Sequence, residues 1–357
     1  MVYAAILAGG KGKRFWPAST AGKPKQFLDI TGEGSMLSLT WRRMRSFLPA
    51  QRILVLTAAD QADAVRRDLP ELPDENLFAE PVSRNTAPSL AAAAIMIRAR
   101  GSDEPVLCCP SDHLIKDSDG FRNAVRIAAD AASGGDVLVT FGIEPTGPET
   151  GYGYIETSGS APDGAASAPL KVEKFHEKPG RETAWQYLEG GNYYWNSGIF
   201  VWRPSVFIEA WDAFLPAGSE PLRGLETAAS EGRLSEMAGK YYGSMPSISV
   251  DFGILERAGN VVVMPVSFGW SDVGSWDALG DILPKDAAGN AGAGEMELVD
   301  SKRNIIYNPD GFTATIGVDD IIVAVSGGRV LVCRKSESQR VREILDRLEE
   351  NDKKEHL

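Results

Sequence analysis

The chain has 357 residues and a formal net charge of −12, with 49 acidic against 37 basic side chains. This acidic balance argues against a nucleic-acid-binding surface, and the sequence has no apolar run of about eighteen residues that would predict a membrane span. Three cysteines, two of them adjacent, predict neither a disulfide framework nor a zinc site, so we expect a cytoplasmic protein. The first apolar run begins at Tyr3, so we also expect no targeting segment.

Strands and helices are predicted to alternate through the first half of the chain. Apolar runs bounded by glycine, proline or polar residues predict strands, and apolar residues at helical spacing predict helices. The predicted strands cover residues 3–7, 52–57, 76–80, 106–110 and 137–142, and the predicted helices cover 35–47, 61–69, 87–100 and 120–132. This alternation predicts an α/β fold with a mainly parallel, Rossmann-like sheet and helices on both faces. Ligands of such sheets bind beyond the carboxyl ends of the strands.

The second half predicts a change of architecture near residue 290. Residues 286–295, rich in glycine and alanine, predict a linker. Short apolar runs and a charged helix then predict a small β-rich module; they cover residues 304–307, 312–316, 321–325, 329–333 and 337–349. We therefore expect a catalytic domain over 1–285 and a small C-terminal β-rich domain over 296–357, which offers a surface for a homodimer. We expect no second catalytic domain.

Glycines and basic side chains are concentrated directly after the first predicted strand. Gly9, Gly10 and Gly12 allow the backbone to turn tightly and to approach a ligand. The basic residues that follow, with no acidic residue among them, are Lys11, Lys13, Arg14, Lys23 and Lys25. Main-chain N–H groups together with mobile and forked positive charge suit a polyphosphate. A solvated strand-to-helix turn is the simpler alternative.

The order of residues in this loop distinguishes it from the common nucleotide motifs. Pro24 follows Gly22-Lys23, which excludes a P-loop, and Phe15 stands where a dinucleotide fingerprint requires glycine. The pattern L-A-G-G-x-G-x-R, then P-x-S, then P-K-Q-F resembles the signature loop of sugar-1-phosphate nucleotidylyltransferases, most closely the mannose-1-phosphate guanylyltransferases. The resemblance implies a nucleotidyltransferase fold and a nucleotide site made of Leu7, Ala8, Gly9, Gly10, Gly12, Lys13, Arg14 and Lys25. Arg14 and Lys25 would hold the nucleotide phosphates.

Two aspartates follow predicted strands or late apolar runs. Asp112 stands in CPSDH and Asp272 in GWSDVGSW, and each alone is as readily a helix cap or a turn residue. Both segments resemble family motifs, P-x-D-H and W-x-D-x-G-S-W. The resemblance implies that these two aspartates hold a catalytic Mg²⁺ or another divalent cation, with Ser111 beside the nucleotide. Nucleotidyl transfer brings two anions together and is suited to such a metal.

Glu80 to Pro88 resembles the family segment E-P-x-x-R-N-T-A-P, which faces the nucleobase. The resemblance implies that the base is contacted by residues of this loop, namely Pro81, Arg84, Asn85 and Thr86. An amide side chain beside helix-start N–H groups is able to read the edge of guanine. The alternative is that Asn85 or Thr86 only caps the helix. Ser83 stands where relatives often have glycine, which leaves the backbone geometry open.

Three further segments resemble the family's sugar site. The segment FHEKP resembles F-x-E-K-P and implies that Glu177 binds sugar hydroxyls and that Lys178 pairs with the sugar phosphate. A surface Glu–Lys pair is the alternative. The segments GYGYI and WNSGIF imply a main-chain contact at Gly153 and hydrogen bonds from Asn196 and Ser197. His176 stands where relatives are often apolar, which leaves the pocket shape open, and Asp251 is expected to be a cap or a supporting group.

The resemblance implies an enzyme that converts GTP and α-D-mannose 1-phosphate to GDP-mannose and pyrophosphate by metal-assisted in-line attack. Two alternatives stay open: transfer to another sugar 1-phosphate or from another base, because a few substitutions change pocket specificity, and a non-catalytic regulatory subunit with the same fold. The expected partners are GTP, mannose 1-phosphate and GDP-mannose. Neither nucleic acid nor a membrane is expected.

Overall fold

A computed structural model describes residues 1–10, 12–159 and 169–357, without the side chains of Lys13 and Lys354. The chain forms two compact units, and neither is continuous in sequence. The larger unit comprises Met1–Gly9, Trp41–Pro110 and Ile115–Trp270, and the smaller unit comprises Gly10–Thr40, Ser111–Leu114 and Ser271–Leu357. Most of the glycine-rich loop therefore belongs with the C-terminal part of the chain. The division into domains at residues 285 and 296 stays a prediction.

The larger unit is built around one sheet. Its strands are β1 (Tyr3–Leu7), β2 (Ile53–Ala58), β3 (Leu77–Glu80), β4 (Val106–Pro110), β5 (Leu138–Ile143), β6 (Tyr154–Thr157), β7 (Leu170–His176), β8 (Tyr193–Trp202) and β9 (Val261–Val266). Within the described ranges they form a nine-stranded sheet in the order β3-β2-β1-β4-β8-β5-β9-β7-β6. Strands β1 to β4 pair in parallel, whereas β8 runs antiparallel to both β4 and β5. The α/β class is confirmed, with a parallel half and a mixed half.

Helices follow most strands of this sheet. They are α1 (Met36–Arg45), α2 (Ala62–Asp68), α3 (Thr86–Arg98), α4 (Ser118–Gly134), α5 (Arg181–Gly190), α6 (Pro204–Phe214), α7 (Ser219–Ser230) and α8 (Leu234–Tyr241), with a π-helical turn at Asp251–Leu255. The sequence did not predict α7 and α8. They pack against each other, and α7 also packs against α3. None of the helices in the described ranges is both long and apolar enough to cross a membrane.

Helix α3 forms the centre of the larger core. All of its residues from Ala87 to Ile97 are buried, because the helix is packed between β1 and β2 on one side and α6 and α7 on the other. Alanine suits such a position, since its small side chain allows neighbouring elements to approach closely and it has the highest helix propensity. The helix begins at Thr86, so its buried body fixes the point at which the preceding loop, Pro81 to Asn85, must end.

The smaller unit contains a second sheet made of β10 (Ala291–Val299), β11 (Ile305–Ile316), β12 (Ile321–Ser326) and β13 (Arg329–Arg334), followed by α9 (Val341–Glu350). Strands β10, β11 and β12 pair in parallel, and β13 pairs with β12 in antiparallel fashion. The predicted linker is wrong from Ala291 onward, because β10 begins there. Gly294 allows this: its φ is +100°, and a Cβ atom at this residue would lie 1.9 Å from the Asn308 main-chain oxygen.

Aromatic side chains join the glycine-rich loop to the rest of the smaller unit. The Trp276 ring lies 5.1 Å from that of Phe15 and 5.2 Å from that of Tyr307, measured between centroids. Trp276 also donates a hydrogen bond from Nε1 to the Trp16 main-chain oxygen, at 2.9 Å. Large buried aromatic rings dominate core energetics, so this cluster explains why residues after Gly10 belong to the same unit as the C-terminal sheet.

Candidate active site

The first residues of the predicted nucleotide site close strand β1. Leu7 is the last residue of the strand, and Ala8 continues its pairing: the Ala8 N–H donates to the Leu56 oxygen at 2.7 Å, and the Ala8 oxygen accepts from the Thr57 hydroxyl at 2.9 Å. Gly9 is half-buried. The main-chain groups of Ala8 are therefore committed to the sheet.

Beyond Gly9 the loop packs against Lys25 and Gln26. Gly12 has a φ of +57°, and a Cβ atom there would lie 2.4 Å from the Lys25 Cβ, so only glycine fits this approach. The Gly10 oxygen accepts a hydrogen bond from Gln26 Nε2 at 3.0 Å. The Arg14 side chain is exposed. Lys11 and the Lys13 side chain lie outside the described residues.

Lys25 connects the two predicted metal-binding aspartates. Its ammonium lies 2.9 Å from Asp112 Oδ2 and donates to the Asp272 main-chain oxygen at 2.7 Å. The Lys25 side chain is only 7% exposed and that of Asp112 is 31% exposed. The Lys25 ammonium also lies 5.6 Å from the centroid of the Phe15 ring. The sequence motif predicts that Lys25 binds the nucleotide phosphates, and it does not predict this ion pair. We call Lys25, Asp112 and Asp272 the lysine–aspartate cluster.

The environment of Asp112 keeps its carboxyl group ionised. Burial alone would raise the pKa of Asp112, but the positive charges of Lys25 and His113 and the hydrogen bond from Lys25 outweigh it. The pKa of Asp112 therefore lies below its usual value. Ser111, the preceding residue, is buried, and its main-chain oxygen accepts a hydrogen bond from the Thr40 hydroxyl at 3.2 Å.

Asp272 stands in a tight turn. Val273, the next residue, has a φ of +46°, which is rare for a β-branched residue and costs of order 1–3 kcal/mol. Its N–H donates to the Ser271 hydroxyl at 3.1 Å. A Cβ atom at Gly274 would lie 2.6 Å from Asp272 Oδ2, so the carboxylate lies against a position that only glycine leaves open. Strain of this kind is held in place by surrounding structure and is common at functional sites.

The donor groups of the lysine–aspartate cluster fit a divalent cation that is completed by substrate. The Asp112 carboxylate and the Asp272 main-chain oxygen both contact one positive charge, the Lys25 ammonium. Among the described residues there is no group of three or more histidine, cysteine, aspartate or glutamate side chains that could hold a metal. Mg²⁺ typically takes one or two carboxylates and completes its shell with substrate phosphates and water. Two aspartates are therefore sufficient.

The predicted base-binding loop, Pro81 to Asn85, lies between β3 and α3 in the larger unit. Asn85 caps α3, because its Oδ1 accepts from the Thr86 N–H at 2.9 Å, and it has a φ of +68°. The Thr86 hydroxyl accepts from the Val250 N–H at 2.9 Å. Arg84 donates from Nη2 to the Gly243 main-chain oxygen. Pro81 and Asn85 are exposed. The loop is therefore held in place by these hydrogen bonds near α3, while Pro81 and Asn85 remain exposed.

A buried polar network behind this loop was missed from the sequence. The Ser89 hydroxyl lies between the Glu80 carboxyl group, the Asn85 main-chain oxygen at 3.1 Å and the Tyr242 hydroxyl at 3.4 Å. Glu80, Ser89 and Tyr242 are all buried. Tyr242 directly follows α8, a helix that the sequence did not predict, so no sequence signal connected it to the loop.

The predicted sugar-site residues converge in the larger unit. A Cβ atom at Gly153 would lie 3.1 Å from Glu177 Oε2 and 3.7 Å from the Asn196 Cβ. The Asn196 N–H donates to the Gly153 oxygen at 2.9 Å, and its Nδ2 donates to Asp251 Oδ1 at 2.7 Å. Lys178, with a φ of +41°, donates to Glu177 Oε1 at 2.6 Å. We call these five residues the sugar cluster.

Charge accumulates around Asp251 in the sugar cluster. Burial raises the pKa of Asp251, and the negative charge of Glu177 adds to this effect, while the hydrogen bond from Asn196 and the charge of Lys178 oppose it. The net shift is upward. The hydrogen bond from Asn196 links the two side chains, and the supporting role expected for Asp251 stays a prediction.

Two other residues of the sugar motifs, Ser197 and His176, are hydrogen-bonded to neighbouring groups of the protein. Ser197 is buried, and its hydroxyl donates to the Phe141 oxygen at 2.7 Å. His176 is hydrogen-bonded through Nε2 to Glu156 at 2.8 Å and through Nδ1 to the Tyr187 hydroxyl at 3.0 Å. These two hydrogen bonds explain why a polar histidine fits at this position. Ligand-binding roles for all the residues above stay predictions.

Comparison with known proteins agrees with the motifs. The family described as Nucleotidyl transferase matches residues 3–289, and the family described as MannoseP isomerase/GMP-like beta-helix domain matches residues 294–348. The xanthan biosynthesis protein XanB of Xanthomonas campestris pv. campestris (strain B100) is 38% identical over 96% of this chain and 72% of its own length. A mannose-1-phosphate guanylyltransferase of Escherichia coli is 37% identical over 100% of this chain and 76% of its own length.

A solved structure shares the fold across nearly the whole chain. The crystal structure described as mannose-1-phosphate geranyltransferase from Thermus thermophilus superposes with a TM-score of 0.86 at 34% sequence identity. The match covers 98% of this chain and 99% of that one. Both the sheet of the larger unit and the C-terminal strands are therefore common to the two proteins.

Proposed function

The chain belongs to the nucleotidyl transferase family, and from that membership we propose that it makes GDP-mannose and pyrophosphate from GTP and α-D-mannose 1-phosphate. A phosphate oxygen of mannose 1-phosphate forms a bond to the α-phosphorus of GTP. The bond from that phosphorus to the oxygen bridging to the β-phosphorus breaks, and pyrophosphate leaves. The choice of base and sugar rests on relatives that carry the name mannose-1-phosphate guanylyltransferase.

The observation that carries the proposed chemistry is that the Lys25 ammonium contacts both the Asp112 carboxylate and the main-chain oxygen of Asp272, which brings these two segments together. Two phosphate-bearing substrates repel each other, so positive charge is required where they meet. Lys25 supplies one such charge, and the exposed Arg14 supplies a forked donor suited to phosphate. No protein nucleophile is needed, because the sugar phosphate itself attacks.

The lysine–aspartate cluster would also hold the divalent cation. Asp112 and Asp272 are the residues that would bind Mg²⁺ or another divalent cation, and when bound this ion neutralises phosphate charge. Asp112 is ready for that role because its depressed pKa keeps it anionic at neutral pH. When Asp112 binds the cation, the Lys25 ammonium is able to move from the Asp112 carboxylate to a phosphate oxygen of the nucleotide.

The sugar cluster supports binding of mannose 1-phosphate. Glu177 offers carboxylate oxygens to sugar hydroxyls, and Lys178, which is mostly exposed, offers its ammonium to the sugar phosphate. Asn196 has its Nδ2 bound to Asp251 and its Oδ1 bound to the Gly198 N–H at 3.2 Å, so its amide plane is fixed before a ligand arrives. Preorganised donors of this kind lower the cost of binding.

Pyrophosphate release measured across a grid of nucleoside triphosphates and sugar 1-phosphates tests this proposal. We expect the highest kcat/KM for GTP with mannose 1-phosphate, and loss of activity when divalent cations are chelated. A higher value for another base or sugar would move the substrate assignment to that pair. Absence of turnover with every pair would contradict the enzymatic assignment and favour a non-catalytic subunit.

We further propose that the C-terminal strands form a homodimer surface. Exposed aliphatic side chains line the edge of the smaller sheet, where Val332 pairs across the strands with Val323 and Val330 pairs with Val325. An apolar edge strand of this kind favours pairing with another chain. Light scattering measures the mass directly: Val332→Asp is expected to lower it from two chains to one, and Trp185→Asp, at another exposed apolar residue, is the control. A wild-type mass of one chain would contradict the dimer.

A further inference from the structure

A short helical turn after α9, Lys354–His356, lies against the glycine-rich loop within the smaller unit, and we call it the terminal turn. We propose that the terminal turn positions this loop for the nucleotide phosphates: the His356 main-chain oxygen holds the Trp16 indole, and Trp16 fixes the part of the loop that carries Arg14. Trp16 is thus a positioning residue and is not expected to touch the nucleotide. This inference rests on the proposed function, because it takes Arg14 and Lys25 to bind the triphosphate.

One hydrogen bond connects the loop to the terminal turn. Trp16 donates from Nε1 to the His356 main-chain oxygen at 2.7 Å, although the two residues are 340 positions apart in sequence. Trp16 is buried. Because a buried donor that loses its acceptor carries the full cost of its desolvation, the Trp16 ring keeps this orientation only while the terminal turn is in place.

The terminal turn has supports of its own in the smaller unit. Arg329, at the start of β13, donates from Nη2 to the Glu355 main-chain oxygen at 2.6 Å. Leu357, which directly follows the turn, packs against the apolar cluster of the smaller unit. The acceptor that meets Trp16 is therefore fixed by the C-terminal sheet and core, and it is able to serve as a support for the loop.

Trp16 is joined in turn to the groups predicted to bind phosphate. Its main-chain oxygen accepts a hydrogen bond from Trp276 Nε1 at 2.9 Å, so its main chain and its side chain are both held. Phe15, the preceding residue, is buried, and its ring centroid lies 5.6 Å from the Lys25 ammonium. Helix α9 packs against the short helical turn that contains Arg14. A displaced Trp16 would therefore disturb both positive groups that the triphosphate requires.

Trp16→Phe tests this connection, because it removes the indole donor and keeps an aromatic ring in the cluster. We expect KM for GTP to rise about fivefold, the effect of one lost hydrogen bond, while KM for mannose 1-phosphate stays within about twofold of the wild type. KM for ATP should rise by the same factor as KM for GTP, because the phosphates and not the base are affected.

Ending the chain after Lys353 removes the acceptor instead of the donor. This variant keeps the hydrogen bond from the Lys353 N–H to the Leu348 oxygen, at 2.9 Å, which closes α9. We expect the same rise in KM for GTP. Since both changes break one bond, their combination should give a factor of about five and not about 25. Factors that multiply would show that Trp16 and the terminal turn act separately, which would overturn the inference.

Trp211→Phe and Leu357→Ala are the matched controls. Trp211 is also buried, but its Nε1 has no hydrogen-bond partner among the described residues. Leu357→Ala loses packing against the apolar cluster and keeps the His356 oxygen. We expect both variants to lower the melting temperature and to leave KM for GTP unchanged. A wild-type KM for GTP in Trp16→Phe, or an equal rise in either control, would contradict the positioning role.

Direct titration of GTP binding keeps this inference apart from the proposed reaction. A wild-type protein that binds GTP but releases no pyrophosphate contradicts the proposed reaction alone. A protein that makes GDP-mannose while Trp16→Phe binds GTP as tightly as the wild type contradicts the positioning role alone. Titration with inorganic triphosphate, which has no base, should show the same loss of about fivefold in Trp16→Phe. An unchanged Kd for inorganic triphosphate would contradict an action through the phosphates.

Discussion

Two lysine–carboxylate pairs lie in the predicted binding motifs, and they differ in burial more than in distance. Lys25 and Asp112 are 2.9 Å apart with side chains 7% and 31% exposed, whereas Lys178 and Glu177 are 2.6 Å apart with side chains 61% and 37% exposed. The shorter pair is the more exposed one. Exposed pairs contribute about 0–1 kcal/mol, while breaking a buried pair costs about 3–5 kcal/mol. Burial therefore decides which lysine also supports the fold.

Lys25→Met should produce the largest effect, because it removes charge from both the fold and the site. We expect a loss of about 3 kcal/mol in the free energy of unfolding, at the lower end of the buried-pair range since Asp112 is partly exposed. Urea denaturation measures this loss, and kcat is expected to fall at least about 100-fold. Lys178→Met serves as the control. If both variants unfold at the wild-type urea concentration, burial does not distinguish the pairs.

Asp272→Asn separates the catalytic charge from the ion pair. The main-chain oxygen that accepts from Lys25 is retained in this variant, so stability should change little. One charge is lost beside several phosphate groups, and we expect kcat to fall by two or more decades, at least about 2.7 kcal/mol. Steady-state kinetics at limiting Mg²⁺ provides the measurement. Turnover close to that of the wild type would remove Asp272 from the metal site.

Asp112→Asn added to Asp272→Asn should be far from additive, because both side chains are assigned to one ion. The double variant is expected to lose little more than either single variant. Losses in kcat that multiply would show two independent roles. The same kinetic series provides the comparison.

Lys178→Met tests the exposed pair, Lys178 and Glu177. An exposed lysine that binds the sugar phosphate contributes about 1.5–3 kcal/mol to that contact, so KM for mannose 1-phosphate should rise about 10- to 100-fold. KM for GTP and the urea midpoint should stay the same. An unchanged KM for the sugar phosphate would leave Lys178 as an ordinary surface residue.

The smallest expected effect is a difference in pH dependence between the two clusters. The pKa of Asp112 is lowered in the folded protein, so its contribution to stability is present at neutral pH and is lost as the pH falls through that pKa. The pKa of Asp251 is raised, so its ionisation weakens the fold as the pH rises above the unfolded value of about 4. Unfolding free energies from pH 3 to 8 should therefore fall with Asp112→Asn and rise with Asp251→Asn, with both differences shrinking in acid.

The sequence predicted the strands best where apolar runs are continuous. The bounds of Tyr3–Leu7 and Val106–Pro110 agree with prediction, because buried strands leave a strong local pattern. Strand β10 was missed because its glycines indicate a linker, while in the structure Gly294 allows two backbones to meet. A glycine that provides flexibility and one that provides space are identical in sequence.

The motifs predicted which site residues cluster but not how they are held. Lys25, Asp112 and Asp272 are separated by up to 247 residues, and only the fold shows that one ammonium contacts the other two. Asn85, Lys178 and Val273 all have positive φ values, which sequence propensity predicts for none of them, least of all for valine. These conformations depend on tertiary contacts. The cytoplasmic location expected from the cysteines stays a prediction.

The complete burial of α3 has a consequence for how substrate preference could be changed. From Ala87 to Ile97 the helix has no side that tolerates a larger side chain, since close-packed interiors resist even one added methylene. Random mutagenesis is therefore expected to recover functional variants rarely from this helix. Directed evolution toward another nucleotide should concentrate on residues 81–83, which are exposed and immediately precede the fixed turn. The rigid helix would serve as the scaffold of such a library, with the variable positions in the loop.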